Sequence, residues 1–262
     1  MQDAEFDQIV NDLLDGTPPR VWSLLVTMFG DLAVAPEARL SGTTVNALTA
    51  TIGIKPEATR VALHRLRKEE WIDSHRIGRQ SRYGLTGKGR AETNAAWCRV
   101  YGPDPADTQV FLVTEDPAAT ANAPTKTAVS LSPRLWMSDS SPRASSHWAI
   151  PLPVASPVPR WVSEKLCPPE VQAASQTLNR RFTMLCEDTD FARLTLLQAT
   201  ALRMLVVHEW RRLILRVPTF PEALFSGGWH GAACRAHLSG MLTKLPVPNL
   251  AHLHHAIDAD QV

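Results

Sequence analysis

The sequence predicts an α+β protein in three parts: an N-terminal region of helices and a hairpin, a middle region with strands, and a helical C-terminal region. Two observations predict this organisation. Hydrophobic periodicity changes from helical to alternating and back within residues 18–101, whereas residues 170–262 keep helical periodicity. Between these regions, eight prolines fall from Pro133 to Pro169, and this density excludes long regular helices.

The composition fits an ordinary globular protein. The 262 residues suffice for one large domain or a few small ones, and a hydrophobic fraction of 44% supplies a core. The cysteines are far apart and form no C-x-x-C pair, which argues against a zinc ribbon or a disulfide scaffold. The sequence shows neither a basic leader with an apolar run nor a stretch of ~20 apolar residues. We therefore expect a cytoplasmic protein that is not attached to a membrane.

The N-terminal region, residues 18–101, has the pattern of a helix-turn-helix. A first helix follows two prolines and ends at Gly30. A short helix over residues 43–50 and a second helix that begins at Pro56 are separated by a turn of a few residues, which is the dimension of this motif.

A hairpin and a further helix complete this region. The segment WIDSHRIGRQSRYGLT has β-prone ends around a turn at Gly78–Arg79–Gln80. Thr86 is placed to cap the helix that follows. Helix, helix-turn-helix, hairpin and helix follow one another in the order of a winged helix-turn-helix.

The rest of the chain divides into a middle and a C-terminal domain. TQVFLVTED predicts one strand and LSPRLWMS a second, within a middle domain at residues 106–169. The C-terminal domain, residues 170–262, contains long runs of helix formers, with a stop at Pro218 and another helix after Trp229. The final segment, HLHHAIDADQV, is expected to fray.

Charge is segregated along the chain. The net charge is +1, but residues 60–90 carry nine Lys or Arg against three acids, so that this segment is +6 and the remainder −5. A local excess of one sign indicates a site for a polyanion rather than a generally adhesive surface.

The second helix of the helix-turn-helix presents this charge on one face. At 100° per residue, the apolar stripe consists of Thr59, Ala62, Leu63 and Leu66. The opposite face carries Glu57, Arg60, Val61, His64, Arg67 and Lys68. Cationic and polar side chains of these types contact phosphates and base edges in the DNA major groove. A solvated helix face is the alternative, but the scarcity of acids and the basic hairpin that follows favour DNA binding.

The hairpin carries cations at its tip and flanks. Arg79 lies at the tip, Arg76 and Arg82 flank it, and Tyr83 is beside them. Wings of this kind place arginine against the DNA backbone or in the minor groove, and binding then weakens steeply with salt. For Tyr83 and Trp71 we expect packing in the core.

Three segments of the sequence resemble the PaaX family, repressors of phenylacetic acid degradation genes in bacteria. They are LLVTMFGD in the first helix, TRVALHRLRKEEWIDSHRIGRQSRYGLTGKGR through the helix and hairpin, and VHEWRRLILRVPTFPEALFSGGWHGAACR near the C-terminus. The similarity covers roughly residues 18–101 and 190–240, in the family's order and spacing. The hairpin alone is a weak signal, and its combination with the C-terminal segment is a strong one.

The resemblance implies both a fold and a function. The implied fold is an N-terminal winged helix, a middle domain of ferredoxin-like (Cas2-like) α+β type, and a C-terminal helical domain. The implied function is that of a homodimeric repressor on a palindromic operator, released by an aryl acyl-coenzyme A thioester such as phenylacetyl-CoA. The regulated genes would serve aromatic or organic acid catabolism, and no cofactor is expected. A regulator of the same fold that responds to another small molecule or acyl-CoA is the alternative.

The resemblance also assigns residues by position. The family's helix and wing pattern falls on Arg60, Arg65, Arg76, Gly78, Arg79, Ser81 and Tyr83. With the charged helix face, the predicted DNA-binding set is Arg60, His64, Arg65, Arg67, Lys68, Arg76, Arg79, Gln80, Ser81, Arg82 and Tyr83. The sequence departs from the family pattern twice. Gln80 stands where a second arginine is common, and PAATANAPTKT replaces a long helix in a shortened middle domain.

Candidates for the effector site lie in the C-terminal helices. The segment VVHEWRR puts His208, Arg211 and Arg212 into an otherwise apolar helix, where charges need partners. One interpretation is an internal ion-pair network, for example of Arg211 or Arg212 with Glu187 or Asp190, and the other is a cationic cradle for a CoA phosphate or a carboxylate. The residues alone leave both interpretations open.

Three more effector candidates are aromatic or lie at a helix start. Trp229 and His230 precede a helix whose free N–H groups would bind an anion, although capping is the commoner role. Trp136 would line an apolar pocket for an aryl group, although core packing is commoner for a single tryptophan. The histidines of HLHH are interpreted as non-functional, and no metal site is expected.

Two other classes of protein are disfavoured. The sequence contains no nucleophile elbow, no H-E-x-x-H metal motif, no P-loop and no G-x-G-x-x-G fingerprint, so an enzyme is not expected. A protein-interaction module is disfavoured because interfaces deplete lysine and favour apolar anchors, unlike the basic helix face.

Overall fold

The computed structural model of the chain is a mixed α+β protein that divides into two compact units. It describes residues 1–78, 80–118, 123–153, 158–225 and 227–259. Unit 1 comprises Met1–Tyr101, Arg180–Arg212 and Ala236–Val262, and unit 2 comprises Gly102–Asn179 and Leu213–Arg235. The boundaries of the three predicted domains, 18–101, 106–169 and 170–262, stay predictions.

The N-terminal part of unit 1 contains five helices and three short strands in the described residues. In chain order they are α1 (Asp3–Leu14), α2 (Val21–Leu32), β1 (Leu40–Ser41), α3 (Gly42–Ala50), α4 (Pro56–Lys68), β2 (Ile72–Ile77), β3 (Gln80–Leu85) and α5 (Gly87–Tyr101). Helix α1, which precedes the predicted region, buries Phe6, Val10 and Leu13 on one face. Helices α2 to α5 and the hairpin of β2 and β3 follow the order predicted from the sequence.

The rest of the described chain contains four strands, five further α-helices and two short 3-10 helices, Phe191–Arg193 and Glu222–Leu224. The strands and α-helices are β4 (Val110–Glu115), β5 (Val129–Ser132), β6 (Leu135–Ser138), β7 (His147–Leu152), α6 (Arg160–Leu166), α7 (Pro169–Asp188), α8 (Leu196–Ile214), α9 (Gly231–Lys244) and α10 (Leu250–Ala259). Helices α7, α8 and α9 each contribute residues to both units. No helix in the described ranges is long and apolar enough to cross a membrane.

Helices α3 and α4 are positioned by capping and by a buried polar contact. The Ser41 hydroxyl accepts a hydrogen bond from the Thr44 amide at 3.0 Å, which caps α3. Pro56 occupies the first turn of α4, where its missing N–H costs nothing. The hydroxyls of Thr49 and Thr59 lie 2.9 Å apart and join the two helices. The predicted apolar stripe of α4 is confirmed, because Thr59, Ala62, Leu63 and Leu66 are all buried.

The first sheet is antiparallel, with strand order β1-β3-β2. Ile77 is opposite Gln80, so Gln80 already belongs to β3. The predicted turn Gly78–Arg79–Gln80 is therefore one residue too long. Gly78 has a φ of 59°, a left-handed conformation that two-residue hairpin turns require and that glycine adopts without strain.

The second sheet has the antiparallel order β5-β6-β4-β7. TQVFLVTED forms β4, as predicted. LSPRLWMS does not form a single strand, because the chain reverses between β5 and β6 and Arg134 has a φ of 62°. The ferredoxin-like arrangement of this region stays a prediction.

The C-terminal segment is helical up to Ala259, so the prediction that it frays was wrong for residues 252–259, and residues 260–262 lie outside the described residues. Residues Leu250–Ala259 form α10, which packs on α3 and β1. Leu253 and Ile257 are buried there at helical spacing. Their burial supplies the packing energy that a short terminal helix needs.

A buried polar network joins α8 to the N-terminal helices of unit 1. Arg203 donates two hydrogen bonds to the Asp31 carboxylate, each 2.7 Å long, and a third to the carbonyl oxygen of Leu245. The Tyr101 hydroxyl donates to the same carboxylate at 2.7 Å. The indole N–H of Trp210, which is fully buried, donates to the Val100 carbonyl. Helix α8 is thereby bonded to both α2 and α5.

Replacing Asp31 with Ala tests how much this network contributes to the free energy of unfolding. The change leaves the buried Arg203 guanidinium without its counter-charge, so the free energy of unfolding should fall by about 3–5 kcal/mol in urea denaturation. Asp15→Ala is the matched control, because Asp15 pairs with Arg181 at the surface and the expected loss is about 0–1 kcal/mol. Equal losses for the two variants would contradict the structural role of the network.

Candidate nucleic-acid interface

Helix α4 exposes a row of cationic and polar side chains on the face opposite its buried stripe. Arg60, His64, Arg67 and Lys68 are all exposed. Their spacing of three to four residues along the helix places them on one side. This arrangement is the one that the sequence predicts for the helix face.

Two open grooves border this row. One, of about 400 Å³, lies between α3, α4 and Tyr83 and includes Arg60 in its lining. The other, of about 880 Å³, lies between the end of α4 and strand β2 and includes Lys68 and Lys88. His64 and Arg67 line both grooves and so form the ridge between them.

The acids near the second groove are partly neutralised by neighbouring cations. Asp73 forms an ion pair with Arg39. Glu69 accepts a hydrogen bond from Arg65 at 2.7 Å, and this bond lowers the pKa of the Glu69 carboxyl. The amino group of Lys88 donates to the Glu69 carbonyl at 2.9 Å, which holds the lysine beside the groove. Two acids of this segment are therefore paired with cations, and α4 itself carries four Lys or Arg against one acid.

The hairpin supplies further polar groups next to the grooves. Arg76 and Ser81 are opposite each other in the register of β2 and β3, and both are exposed. Tyr83 is half-buried, and a Cβ atom added at Gly42 would lie 3.6 Å from its ring. Tyr83 thus packs at the groove wall. Gln80 is half-buried, and Arg79 lies outside the described residues.

Two of the predicted DNA-binding arginines have partners within the protein. Arg65 bonds Glu69 and lies over the ring of Trp22, with 5.3 Å from its guanidinium carbon to the ring centroid. Trp22 in turn meets the half-buried Trp71 edge to face. The guanidinium of Arg82 lies 3.2 Å from a ring nitrogen of His254. The geometry does not direct these two arginines towards the grooves.

The effector candidates of α8 serve different purposes. His208 is fully buried, and its Nδ1 lies 3.1 Å from the Thr27 hydroxyl. Burial, and then the charges of Arg212 and Arg211, lower the pKa of His208 to about 3. The side chain is therefore a neutral core histidine at physiological pH.

The arginines of α8 do not pair with the acids expected from the sequence. Arg212 is exposed and bonds Glu209 at 3.0 Å, one turn away on the same helix. Asp190 accepts a bond from a nearby backbone amide instead. Arg211 is half-buried beside a narrow cavity of about 30 Å³, and burial lowers its pKa.

The remaining effector candidates belong to unit 2. Trp136 is buried and meets the ring of His147 edge to face, with centroids 6.2 Å apart. The His230 amide donates to the Ser175 hydroxyl at 3.0 Å, and the Trp229 ring contacts Phe225 edge to face. These contacts fit core packing and capping. The six candidates thus divide equally between the units.

Sequence reasoning missed an apolar cavity in unit 2, which measures about 270 Å³. Its lining consists of Leu112, Leu131, Leu135, Met137, Leu152, Pro153, Val158, Pro159, Trp161, Val162 and Leu224. Leu112 and Met137 are opposite each other in the sheet, and both line the cavity. Successive residues of a strand point to opposite faces of the sheet. Trp136, which precedes Met137, therefore points away from this cavity. Trp161 beside several prolines was a signal in the sequence, and it does not specify a cavity.

Comparison with known proteins identifies the family. The model of the PaaX-like protein family matches residues 20–89, and that of the PaaX-like protein C-terminal domain matches residues 169–255, together more than half of the chain. The chain belongs to the PaaX family. The transcriptional repressor PaaX of Escherichia coli (strain K12) is 28% identical over 262 residues, covering 88% of this chain and 82% of the relative. This PaaX-family member is a transcriptional regulator and not an enzyme, and the resemblance seen in the sequence is confirmed.

A solved structure also aligns with this PaaX-family chain along most of its length. It is the uncharacterized protein Rv0674 from Mycobacterium tuberculosis, with 17% identity and a TM-score of 0.49. The alignment covers 92% of this chain and 98% of the other. A TM-score below 0.5 does not establish a common fold.

The burial of His208 predicts that the folded protein loses stability at acidic pH. Unfolded histidine has a pKa of about 6.5, whereas the pKa of His208 in the folded chain is about 3. The contribution of the neutral His208 side chain to the free energy of unfolding is fully present above about pH 6.5. This contribution is lost as the pH falls towards 3, by up to about 1.4 kcal/mol per pH unit. Urea denaturation from about pH 7.5 to about pH 5 should show this loss in the wild type, and His208→Gln should reduce it. His255→Ala, an exposed control, should leave it unchanged. Equal pH slopes in wild type and His208→Gln would contradict the assignment.

Proposed function

We propose that the protein is a repressor that binds operator DNA through a winged helix-turn-helix formed by α3, α4 and the β2–β3 hairpin. The observation that carries the proposal is the exposed row of α4, which lies between two grooves and next to the polar hairpin. The family membership supports it, since the PaaX relative is a transcriptional repressor. The domain boundaries predicted from the sequence, with residues 18–101 as the DNA-binding part, belong to this proposal.

In this proposal α4 enters the major groove. Arg60, His64 and Arg67 face phosphates and base edges, because they are exposed, polar and on one side of the helix. Arg76 and Ser81 of the hairpin contact the DNA backbone. Arg79 and Gln80 complete the interface that the sequence predicts.

The proposal includes a homodimer on a palindromic operator. One recognition helix reads only a few base pairs, and two copies related by two-fold symmetry reach half-sites about 34–36 Å apart. Membership of the PaaX family supports the proposed homodimer.

The proposal also includes an effector with an aryl or acyl group, such as phenylacetyl-CoA, that releases the DNA. An apolar cavity of ~150 Å³ is known to accept benzene, so the cavity of about 270 Å³ in unit 2 is large enough for an aryl group with a short chain. Its apolar lining suits that group and not the CoA phosphates. A different acyl-CoA or aromatic acid is the second candidate, and the regulated genes would serve aromatic or organic acid catabolism.

Removing a cation from α4 should reduce the salt dependence of DNA binding. Arg67→Ala should weaken binding to the protein's own promoter DNA and lower the slope of log affinity against log salt by about 1 if one phosphate contact is lost. Fluorescence anisotropy at several salt concentrations measures both quantities. Arg65→Ala is the matched control, because Arg65 has partners inside the protein. A salt-independent wild-type affinity, or equal slopes for Arg67→Ala and wild type, would count against the interface.

If the aryl group of the effector binds in the cavity of unit 2, ligand binding should depend on the residues that line this cavity. Phenylacetyl-CoA should raise the melting temperature of the wild type more than CoA alone does, and Trp161→Ala should reduce that difference by removing one cavity wall. Trp148→Ala is the control, since Trp148 is exposed in the same unit but does not line the cavity. Loss of the shift in both variants, or in neither, would exclude the cavity as the aryl site.

A further inference from the structure

His254 lies where the C-terminal helix meets the first sheet. Helix α10 packs on α3 and β1, and His254 is only 8% exposed there. Its Nε2 lies 3.3 Å from the amide nitrogen of Ser41, and its Nδ1 lies 3.2 Å from Nη1 of Arg82. One side chain of the last helix therefore contacts β1, the cap of α3 and strand β3.

The capacity of an imidazole to accept hydrogen bonds makes this contact depend on protonation. Both partners are donors, a neutral imidazole accepts at only one nitrogen, and an imidazolium accepts at neither. Burial, followed by the charge of Arg82, lowers the pKa of His254, whereas Asp258 on the same helix raises it. Neither α3 nor β1 carries an ionisable side chain. The surroundings therefore favour the neutral, accepting form.

Arg82 is turned towards this histidine. Its Nε is buried and has no hydrogen-bond partner among the described residues, and its Nη1 faces His254. Ser41 and Arg82 are also directly opposite each other in the register of β1 and β3. The guanidinium is thus held within the protein, although the residue lies in the most basic part of the sequence.

We propose that His254 is a positioning residue for the DNA-binding hairpin, which it holds against α10 through Arg82. The role in DNA binding rests on the proposed function above. A hairpin fixed in this way loses less conformational freedom when it meets DNA, and so binds more tightly. Arg82 contributes to DNA affinity through this contact and not through a phosphate.

DNA affinity of histidine variants tests the proposal. His254→Ala should raise the Kd for promoter DNA by about five- to tenfold, because a hydrogen bond to a charged group is lost. The salt slope should stay at the wild-type value, since no phosphate contact is removed. His255→Ala, the exposed neighbour on the same helix, should leave the Kd unchanged. Tighter binding by His254→Ala would overturn the proposal.

A double-mutant cycle separates the contact from a general loss of structure. In an Arg82→Ala background, His254→Ala should add less than about twofold to the Kd. His254→Asn, which keeps an acceptor near the position of Nδ1, should recover part of the affinity. Full additivity of the two alanine changes, or a salt slope lowered by Arg82→Ala, would contradict the positioning role.

The pH profile provides a readout that a purely structural role would not give. The affinity advantage of the wild type over His254→Ala should be full above about pH 6.5 and shrink at lower pH, as His254 becomes protonated. His64 and His75 are exposed and present in both proteins, so the ratio of the two affinities cancels their effect. A ratio that stays constant with pH would overturn the accepting role of His254.

Hydrogen exchange of the free protein tests the contact without DNA. His254→Ala should accelerate exchange of the β1 and β3 amides, and His255→Ala should not. Unchanged exchange in His254→Ala would refute the inference even if the wild type binds DNA. If the contact is present but the wild type shows no salt-dependent DNA binding, the proposed function fails instead.

Discussion

The buried ion pair of Arg203 and Asp31 is the interaction on which unit 1 depends. An uncompensated charge in a protein interior costs several kcal/mol, so the helices that carry these residues must come together when the chain folds. Tyr101 and the carbonyl of Leu245 complete the network around the pair. Helices α2 and α5, which flank the proposed DNA-binding elements in sequence, are therefore bonded to α8. The proposed DNA-binding elements therefore lie, in sequence, between two helices that are bonded to a helix from the last third of the chain.

Local sequence patterns predicted the buried stripe of α4 and the order of the helices and the hairpin, because these features depend on neighbouring residues only. The stripe of Thr59, Ala62, Leu63 and Leu66 follows from helical periodicity, and all four are buried. The exposed cations of α4 follow from the same period. Gly78 marked the hairpin turn because a left-handed φ there favours glycine. Such features need no knowledge of distant partners.

These local patterns did not predict contacts between residues that are far apart in sequence. Arg82 and His254 are separated by 172 residues, and nothing local distinguishes this histidine from its two neighbours in HLHH. Helix α10 is stabilised by packing on α3 and β1, which are far away in sequence. Its local sequence therefore predicted fraying. Arg203, in the same helix as the effector candidates, gave no sign that it would pair with Asp31. The apolar cavity likewise arises from residues on two strand pairs, a helix and a turn.

We propose that α4 and the β2–β3 hairpin form the surface that meets DNA. Hydrogen–deuterium exchange with and without promoter DNA tests it most directly, because every peptide of the chain reports at once. We expect DNA to slow exchange in residues 57–83, with the largest effect in α4 and the hairpin. Tight DNA binding without protection of these residues, or with protection elsewhere alone, would contradict the account.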